Sequence, residues 1–400
     1  PIVIDNFYLD NEDLKFQMEK VVNWPAVVGS KERLGSKDCP FETSEEAVSA
    51  YLEILTDPVG RLAAERIAGR AEEIDREGCR LENGTVVFPE GLRRNLQDLK
   101  DAQLMGVTLP REYGGLEFPE TVYTAAIEII SRADASLMNF FGLQCGIAET
   151  IHVFGSQQMK DKYLPGMSTG ELTGAMALTE PDAGSDLAAV QTRATIQAQE
   201  DPVTGEWRLT GTKRFITNGC GDVILTLARS EDPKKHAGAR GLSLFLVPRS
   251  ERVQIRRLEH KLGINGSPTC EIYLDGAPAQ LIGRRGHGLA RYTAWLMLEA
   301  RLAVAAQAVG ISQAALSAAR SFADRREQFG KKIRQFPQVA AMLHDMEVST
   351  EAARALLYAA AEAVDLQQGA EARQMHKDLR RYNRLVGVLK VLLPTIAVLV

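Results

Sequence analysis

The chain has 400 residues, 47 Lys and Arg against 52 Asp and Glu, and a formal net charge of −5. An apolar fraction of 45% and a charged fraction of 25% are those of an ordinary globular protein of two or three domains, and the acidic balance argues against general nucleic-acid binding. The five cysteines (Cys39, Cys79, Cys145, Cys220 and Cys270) show neither a CxxC nor a Cys/His ligand spacing, which fits free thiols in a reducing, cytoplasmic compartment and no metal site.

The region 1–171 reads as helical. Leu14, Met18, Val21 and Val22 fall at helical spacing over Asn11 to Val28. Thr43-Ser-Glu-Glu46 matches a capping box that opens a helix through Leu55. Asp57 to Arg76 continues with Val59, Leu62, Ala63, Ile67 and Ala68 on one side, and Pro89 opens a helix that Gly106 stops. After the Gly-rich turn Leu109–Gly115 come helices over Pro119 to Arg132 and Ala135 to Phe154. The second is apolar nearly all round and so belongs inside. Ser156 caps a short helix to Tyr163.

From 172 to 285 the pattern changes to period two, with Gly and Asp turns. Strands are expected at Gln191–Gln197, Glu206–Thr210, Val223–Ala228, Leu242–Val247 and Glu271–Leu274, with Asp201–Gly205 as a hairpin turn. This is a small antiparallel β-barrel-like domain. The region 286–400 returns to helix: Leu289 to Ala323 is long and Ala-rich, Phe329-Gly330 ends it, Phe336 to Leu366 follows, and a third helix begins at Glu371. Ala-rich faces let antiparallel helices approach closely. The fold class expected is therefore α+β multidomain: N-terminal helical domain, middle β-domain, C-terminal helix bundle. The apolar run from Leu385 to Val400, broken by Lys390 and Pro394, is too short to span a bilayer and is expected to be a buried helix. The chain opens at Pro1 without a basic-then-apolar leader and stops inside that run without a cap, so further sequence is expected after Val400.

The stretch with most chemistry is Met176-Ala-Leu-Thr-Glu-Pro-Asp-Ala-Gly-Ser185. An apolar run breaks at Pro181, and Gly184 frees the backbone to turn. Such a turn can aim several N–H groups and one or two hydroxyls at one carbonyl-rich or anionic ligand. A surface hairpin is the competing reading. Its companion is Phe215-Ile-Thr217, at the end of a strand.

Three segments together resemble the acyl-CoA dehydrogenase family. Thr179-Glu-Pro-Asp-Ala-Gly-Ser-Asp186 is similar to the family's first signature. Gly211-Thr-Lys-Arg-Phe-Ile-Thr-Asn-Gly219 is similar to the second, with Phe215 where many relatives have Trp. Arg320 to Gly330, ending Arg-Arg-Glu-Gln-Phe-Gly, resembles the third. The resemblance runs from Leu109 to Pro394. The long N-terminal region and the break at Val400 look more like the long-form branch that includes methylmercaptopropionyl-CoA dehydrogenase, whose members carry an added C-terminal domain.

The resemblance implies an FAD enzyme that removes an α proton from an acyl-CoA thioester, passes the β hydrogen as hydride to flavin N5, and hands electrons to an electron-transfer flavoprotein. It implies that the backbone of Met176, Ala177, Leu178 and Thr179 and the Thr179 hydroxyl face the flavin pyrimidine edge, that Gly184 shapes that turn, that Phe215 and Ile216 form the ring wall, and that Thr217 bonds near N5. Ser185 would reach both the cofactor and the CoA arm. Leu298, Glu299 and Arg301 would line the substrate channel, with Arg301 buried and paired. Arg326, Gln328, Phe329 and Phe336 would hold the FAD adenosine and pyrophosphate of a neighbouring subunit in a homodimer or homotetramer. The plainer readings are core packing for Phe215, turn-capping for the threonines and Ser185, and a solvated face for the basic cluster around Arg326.

The catalytic base has no counterpart in this chain. A Tyr-Glu-Gly-Thr segment is absent, and the helical position used by a minority of relatives is Ala300, one residue and about 100° from Glu299. A Glu beyond Val400 is expected to serve. The alternatives on the same fold are an acyl-CoA oxidase or flavin monooxygenase, and a relative without dehydrogenase activity that binds DNA, which the charge opposes.

Overall fold

The computed structural model describes residues 6–197, 200–201, 205–375, 380–381 and 383–386. The chain divides into two compact units. One joins 1–71, 118–138 and 301–400, and the other joins 72–117 and 139–300.

The first unit is helical. Glu12–Phe16, Trp24–Lys31, Ser44–Ile54, Glu120–Ala133 and Pro337–Ala372 surround a core that includes Leu14, Met18, Tyr51, Ile127 and Leu357. Thr43 caps its helix as the sequence suggests, accepting from the Glu46 N–H at 3.2 Å. The reciprocal arm differs: Glu46 accepts from the Glu42 N–H at 2.8 Å. The run expected from Asn11 to Val28 is interrupted, because Val22 turns extended and Asn23 caps a new helix at Trp24. Asp57, at φ −140° and ψ 117° before Pro58, separates the helix that begins at Ser44 from the run expected from Asp57 to Arg76, which is helical over 58–77. Burial here includes charge. The fully buried Arg354 guanidinium donates to Glu128 at 2.9 Å, to Asp13, and to Gln313 at 2.8 Å, while Tyr358 donates to Glu128 at 2.8 Å. Asp365 accepts from the Glu120 and Thr121 N–H groups at 2.7 and 3.0 Å, satisfying the start of the Glu120–Ala133 helix. At Gly310 a Cβ would lie 2.4 Å from the Glu128 carbonyl oxygen, so two helices approach through a glycine there.

Among the described residues, the second unit is built on nine strands: β1 Arg80–Glu82, β2 Thr85–Val87, β3 Gly174–Ala177, β4 Arg193–Thr195, β5 Trp207–Thr217, β6 Val223–Arg229, β7 Leu242–Pro248, β8 Val253–Leu258 and β9 Thr269–Ile282. β1 and β2 form a separate hairpin. It corrects the all-helical reading of 1–171: Asn83 at φ 50° and Gly84 at φ 77° give the left-handed turn that an Asn-Gly pair favours between short strands. The remaining seven strands form one curled sheet in the order β3-β6-β4-β5-β9-β7, closed by β6–β7 and with β8 on β9. Most pairs are antiparallel, as expected, but β3 and β4 each pair with β6 in parallel. β9 is longer than the expected Glu271–Leu274 because it serves as partner to β5, β7 and β8 along its length. The inner face is apolar, with Trp207, Leu209, Ile224, Phe245, Val247, Ile272 and Leu274 buried. The residues between Asp201 and Gly205, read as a hairpin turn, lie outside those described, though the Gly205 N–H donates to the Asp201 carbonyl at 2.7 Å.

The long helix Ala294–Arg325 follows a wider, π-helical lead-in at Gly288–Thr293. It ends at Arg325, short of the expected Phe329-Gly330, which form the turn of a small hairpin (Glu327–Gln328 with Lys331–Lys332) at φ 52° and 74°. Glu371 and Ala372 belong to the Pro337–Ala372 helix, so the third helix expected from Glu371 does not start there; beyond the turn at 373–375, residues 380–381 and 383–386 are helical. Most of the expected apolar run after Leu385 lies outside the described residues. Gly288–Arg325 is long and apolar enough to cross a membrane, with half of its most apolar window buried in protein.

Candidate functional site

The two signature turns meet in the second unit. β3 runs into an open segment at Leu178-Thr179, and the next turn is closed by the Glu180 N–H to the Ala183 carbonyl at 2.9 Å and the Ala183 N–H to the Glu180 carbonyl at 3.2 Å. Gly184 lies against Thr179, where an added Cβ would stand 3.7 Å from the Thr179 methyl. From β5, the Arg214 N–H donates to the Thr179 carbonyl at 2.9 Å. Lys213 donates its Nζ to the Leu178 carbonyl and to Glu180 Oε1, both at 2.9 Å. Asn218 Nδ2 donates to the Gly174 carbonyl at 2.9 Å, and Gln144 Oε1 accepts from the Gly174 N–H at 3.0 Å. Each end of β3 is thereby fixed to the strand carrying Phe215 and Thr217.

Lys213 and Glu180 are the clip. Lys213 is wholly buried and Glu180 is 7% exposed. Glu180 also accepts from the Gln191 N–H at 2.7 Å, the Thr192 N–H at 2.9 Å and the Thr192 hydroxyl at 2.5 Å. Burial lowers the Lys213 ammonium to about 8, partly offset by Glu180. Burial raises the Glu180 carboxyl, but Lys213, Thr192 and the Gln191 N–H outweigh it and hold it below its ordinary value. The sequence reading passed over both residues. The signal was present: Lys213 continues the inward alternation Trp207, Leu209 on β5, and an inward lysine needs a buried carboxylate.

The backbone then does something unusual. β5 slips register between Lys213 and Ile216 as it pairs with β9, and Phe215 within the slip has φ 60°. Left-handed backbone is unfavourable for a bulky side chain, and bulges beside functional sites re-aim side chains. Here Ile216 points into the core and Phe215 outward, 53% exposed, with the Arg214 guanidinium 4.7 Å from its ring centre. Plain core packing of Phe215 is thus corrected: the bulge turns it away from the core. Thr179 and Thr217 are half-buried, and neither hydroxyl has a protein partner among the described residues.

The other sequence-derived candidates are distributed as follows. Met176, Ala177 and Leu178 adjoin this turn, with Met176 half-buried and the other two buried, and Ser185 is exposed on it. Glu299 is buried, with its Cβ 3.8 Å from the Cβ position of Gly146. Arg301 is exposed, which corrects the expectation of a buried, paired guanidinium. The buried stripe of its helix runs through Leu302, Ala303, Ala305, Ala306 and Val309, and a residue about 200° round from Glu299 falls outside it. The Leu298 side chain lies outside the described residues. In the first unit, Arg326, Gln328, Phe329 and Phe336 come together at the hairpin after Arg325: the Ile333 N–H donates to the Arg326 carbonyl at 2.9 Å, and the Phe329 and Phe336 rings meet edge-on at 6.3 Å. Phe329 is 93% exposed there.

A re-aimed exposed aromatic and two unbonded hydroxyls, held on turns clipped by a buried ion pair, suit a planar ring edged with carbonyl and N–H groups, and the residues present therefore fit a flavin. With helical modules before and after the β-module, this is the arrangement of a flavin-dependent oxidoreductase. Sequence profiles agree: 50–171 match the acyl-CoA dehydrogenase N-terminal domain, 175–277 the acyl-CoA dehydrogenase middle domain, and 286–378 the acyl-CoA dehydrogenase C-terminal domain. The chain is 36% identical to 3-methylmercaptopropionyl-CoA dehydrogenase of Ruegeria pomeroyi, over 88% of this chain and 61% of that protein. It is 34% identical to glutaryl-CoA dehydrogenase of Desulfococcus multivorans, over 80% of this chain and 79% of that one. The solved butyryl-CoA dehydrogenase from Megasphaera elsdenii superposes with a TM-score of 0.70 at 26% identity, covering 85% of this chain and 87% of that chain. The chain belongs to the acyl-CoA dehydrogenase family, whose members are FAD-dependent oxidoreductases.

Proposed function

We propose that the protein dehydrogenates an acyl-CoA thioester at its α,β bond to the trans-2-enoyl-CoA, using FAD and passing electrons to an electron-transfer flavoprotein. The observation that carries this reading is the bulge that turns Phe215 outward beside the clipped Leu178-Thr179 segment. Bound FAD would supply hydride acceptance. This chain's part is to hold and bias it. The main-chain groups of Met176 to Thr179 and the Thr179 hydroxyl present dipoles to the edge where negative charge develops, and preorganised donors there lower the barrier. Phe215 and Ile216 form one wall, and the Thr217 hydroxyl fixes the ring's orientation from that wall. Gly184 lets the turn approach, and Ser185, exposed at its tip, bonds the cofactor or the CoA arm. Leu298 and Arg301 belong to the acyl-CoA channel, and so does Glu299, as a lining group rather than the proton-abstracting carboxylate.

The exposed hairpin group Arg326, Gln328, Phe329 and Phe336 would grip the adenosine and pyrophosphate of FAD in a second copy of the chain. This reading requires a homodimer or homotetramer, and a cytoplasmic enzyme goes with it. The domain limits that serve it are 1–171, 172–285 and 286–400. Thr217→Val is the direct test. It should leave the melting temperature within about 1 °C, because a hydroxyl without a protein partner contributes within roughly 0.5 kcal/mol, and weaken FAD retention on dilution. Unchanged retention would remove Thr217 from the site.

A further inference from the structure

A cavity of about 610 Å³ lies within the β-containing unit, and Phe215 is not among its lining residues. The helix Glu90–Asp101 presents Arg93, Leu96, Gln97 and Lys100 to it, the i, i+3, i+4, i+7 spacing of one helical face. Val86 and Phe88 from the hairpin segment and Ile255 from β8 add an apolar wall, and Arg249, just past β7, adds a third cation. The cavity has the size range of small-molecule sites, and its lining sets an apolar wall beside polar and charged groups.

Its charges are unequally committed. The lining contains two carboxylates, Asp222 and Glu171. Asp222 already accepts from the Thr173 N–H at 2.8 Å and its hydroxyl at 3.3 Å. Glu171 is exposed and forms no ion pair with the lining cations. Arg249 donates one Nη1 bond, at 3.3 Å, to the Gly219 carbonyl. Arg93 and Lys100 have no carboxylate within 4.0 Å among the described residues. Two unpaired cations on one helix face and a third from Arg249, over an apolar wall, outnumber the two carboxylates and leave a net positive pocket.

We propose that this pocket binds an amphipathic organic anion, with its oxyanion held among Arg93, Lys100 and Arg249 and its hydrocarbon body on Val86, Phe88, Leu96 and Ile255. A medium-chain carboxylate has both parts. None of these residues belongs to the flavin turns or to the acyl-CoA channel, so the site stands whether or not the dehydrogenase reading holds.

The test is calorimetric titration of the full-length protein with octanoate, with octyl phosphate to vary the headgroup, with octanol as a neutral chain and with inorganic phosphate as a bare anion. A non-oxidisable thioether acyl-CoA is present throughout, to occupy any acyl channel. Octanoate should bind, octanol and inorganic phosphate at least roughly tenfold more weakly, since a bond to a charged group is worth one tenfold step or more. Binding should weaken as salt is raised. The double variant Arg93→Gln/Lys100→Gln should lose at least about tenfold in affinity, and Arg93→Lys should retain most of it. Leu96→Trp, which fills the apolar end and keeps the cations, should abolish binding. Octanol binding as tightly as octanoate, or octanoate binding undiminished in both the double variant and Leu96→Trp, would overturn the proposal.

Discussion

Glu180→Gln is the most informative substitution in the protein. The change keeps the shape of the side chain and removes its charge. Lys213, with no exposed surface, then keeps only the Leu178 carbonyl at 2.9 Å and a neutral amide, and the Gln191 and Thr192 N–H groups lose a charged acceptor. Removing one partner of a buried pair costs roughly 3–5 kcal/mol, and a domain of this kind has only about 5–15 kcal/mol in all. The penalty comes from the stranded ammonium, so Lys213→Met on top of Glu180→Gln should recover much of the loss, a coupling of about 2 kcal/mol or more in a double-mutant cycle. Urea unfolding followed by far-UV circular dichroism gives the stabilities, and flavin content after gel filtration reports whether the two turns still meet. A Glu180→Gln cost under about 1 kcal/mol, or a double variant no more stable than the single, would refute the claim that this ion pair fixes the turns.

Three further outcomes follow from the same geometry. Glu180 is held below its ordinary value of 4.5, so its stabilisation is complete above that pH and is lost as pH falls through the lower folded value; wild type should lose stability in that acid window faster than Glu180→Gln does. Phe215→Gly relieves the left-handed backbone and should raise stability by about 1 kcal/mol in urea unfolding while lowering FAD affinity, the reverse of what a core phenylalanine would give. Glu299→Gln should leave acyl-CoA-dependent flavin bleaching intact in the full-length protein; complete loss, with acyl-CoA still bound, would make Glu299 the base.

Much of the site was legible because its signals are local. Pro181, Gly184 and the Phe-Ile-Thr-Asn-Gly segment mark turns by residue type, and the structure joins those two turns through Arg214 and Thr179. What escaped depends on pairing across the chain. Lys213 reads as a surface lysine until β5 is aligned with Glu180, 33 residues earlier. β8 was missed because only Val253 and Ile255 of its six residues are buried, with Gln254, Arg256 and Arg257 polar and exposed and Leu258 only half-buried. The β1–β2 hairpin could have been found from Asn83-Gly84 alone, but its three-residue strands were too short for the period to show. Arg301 was judged by its apolar neighbours rather than by its angle on the helix, and that angle leaves it exposed.

The measurement that bears most directly on the central claim is the visible spectrum of the full-length protein reconstituted with FAD, recorded anaerobically before and after a panel of acyl-CoA thioesters. The account predicts tightly held flavin whose absorbance bleaches with at least one thioester and recovers when an electron-transfer flavoprotein is added. A folded protein that retains no flavin after gel filtration would contradict it.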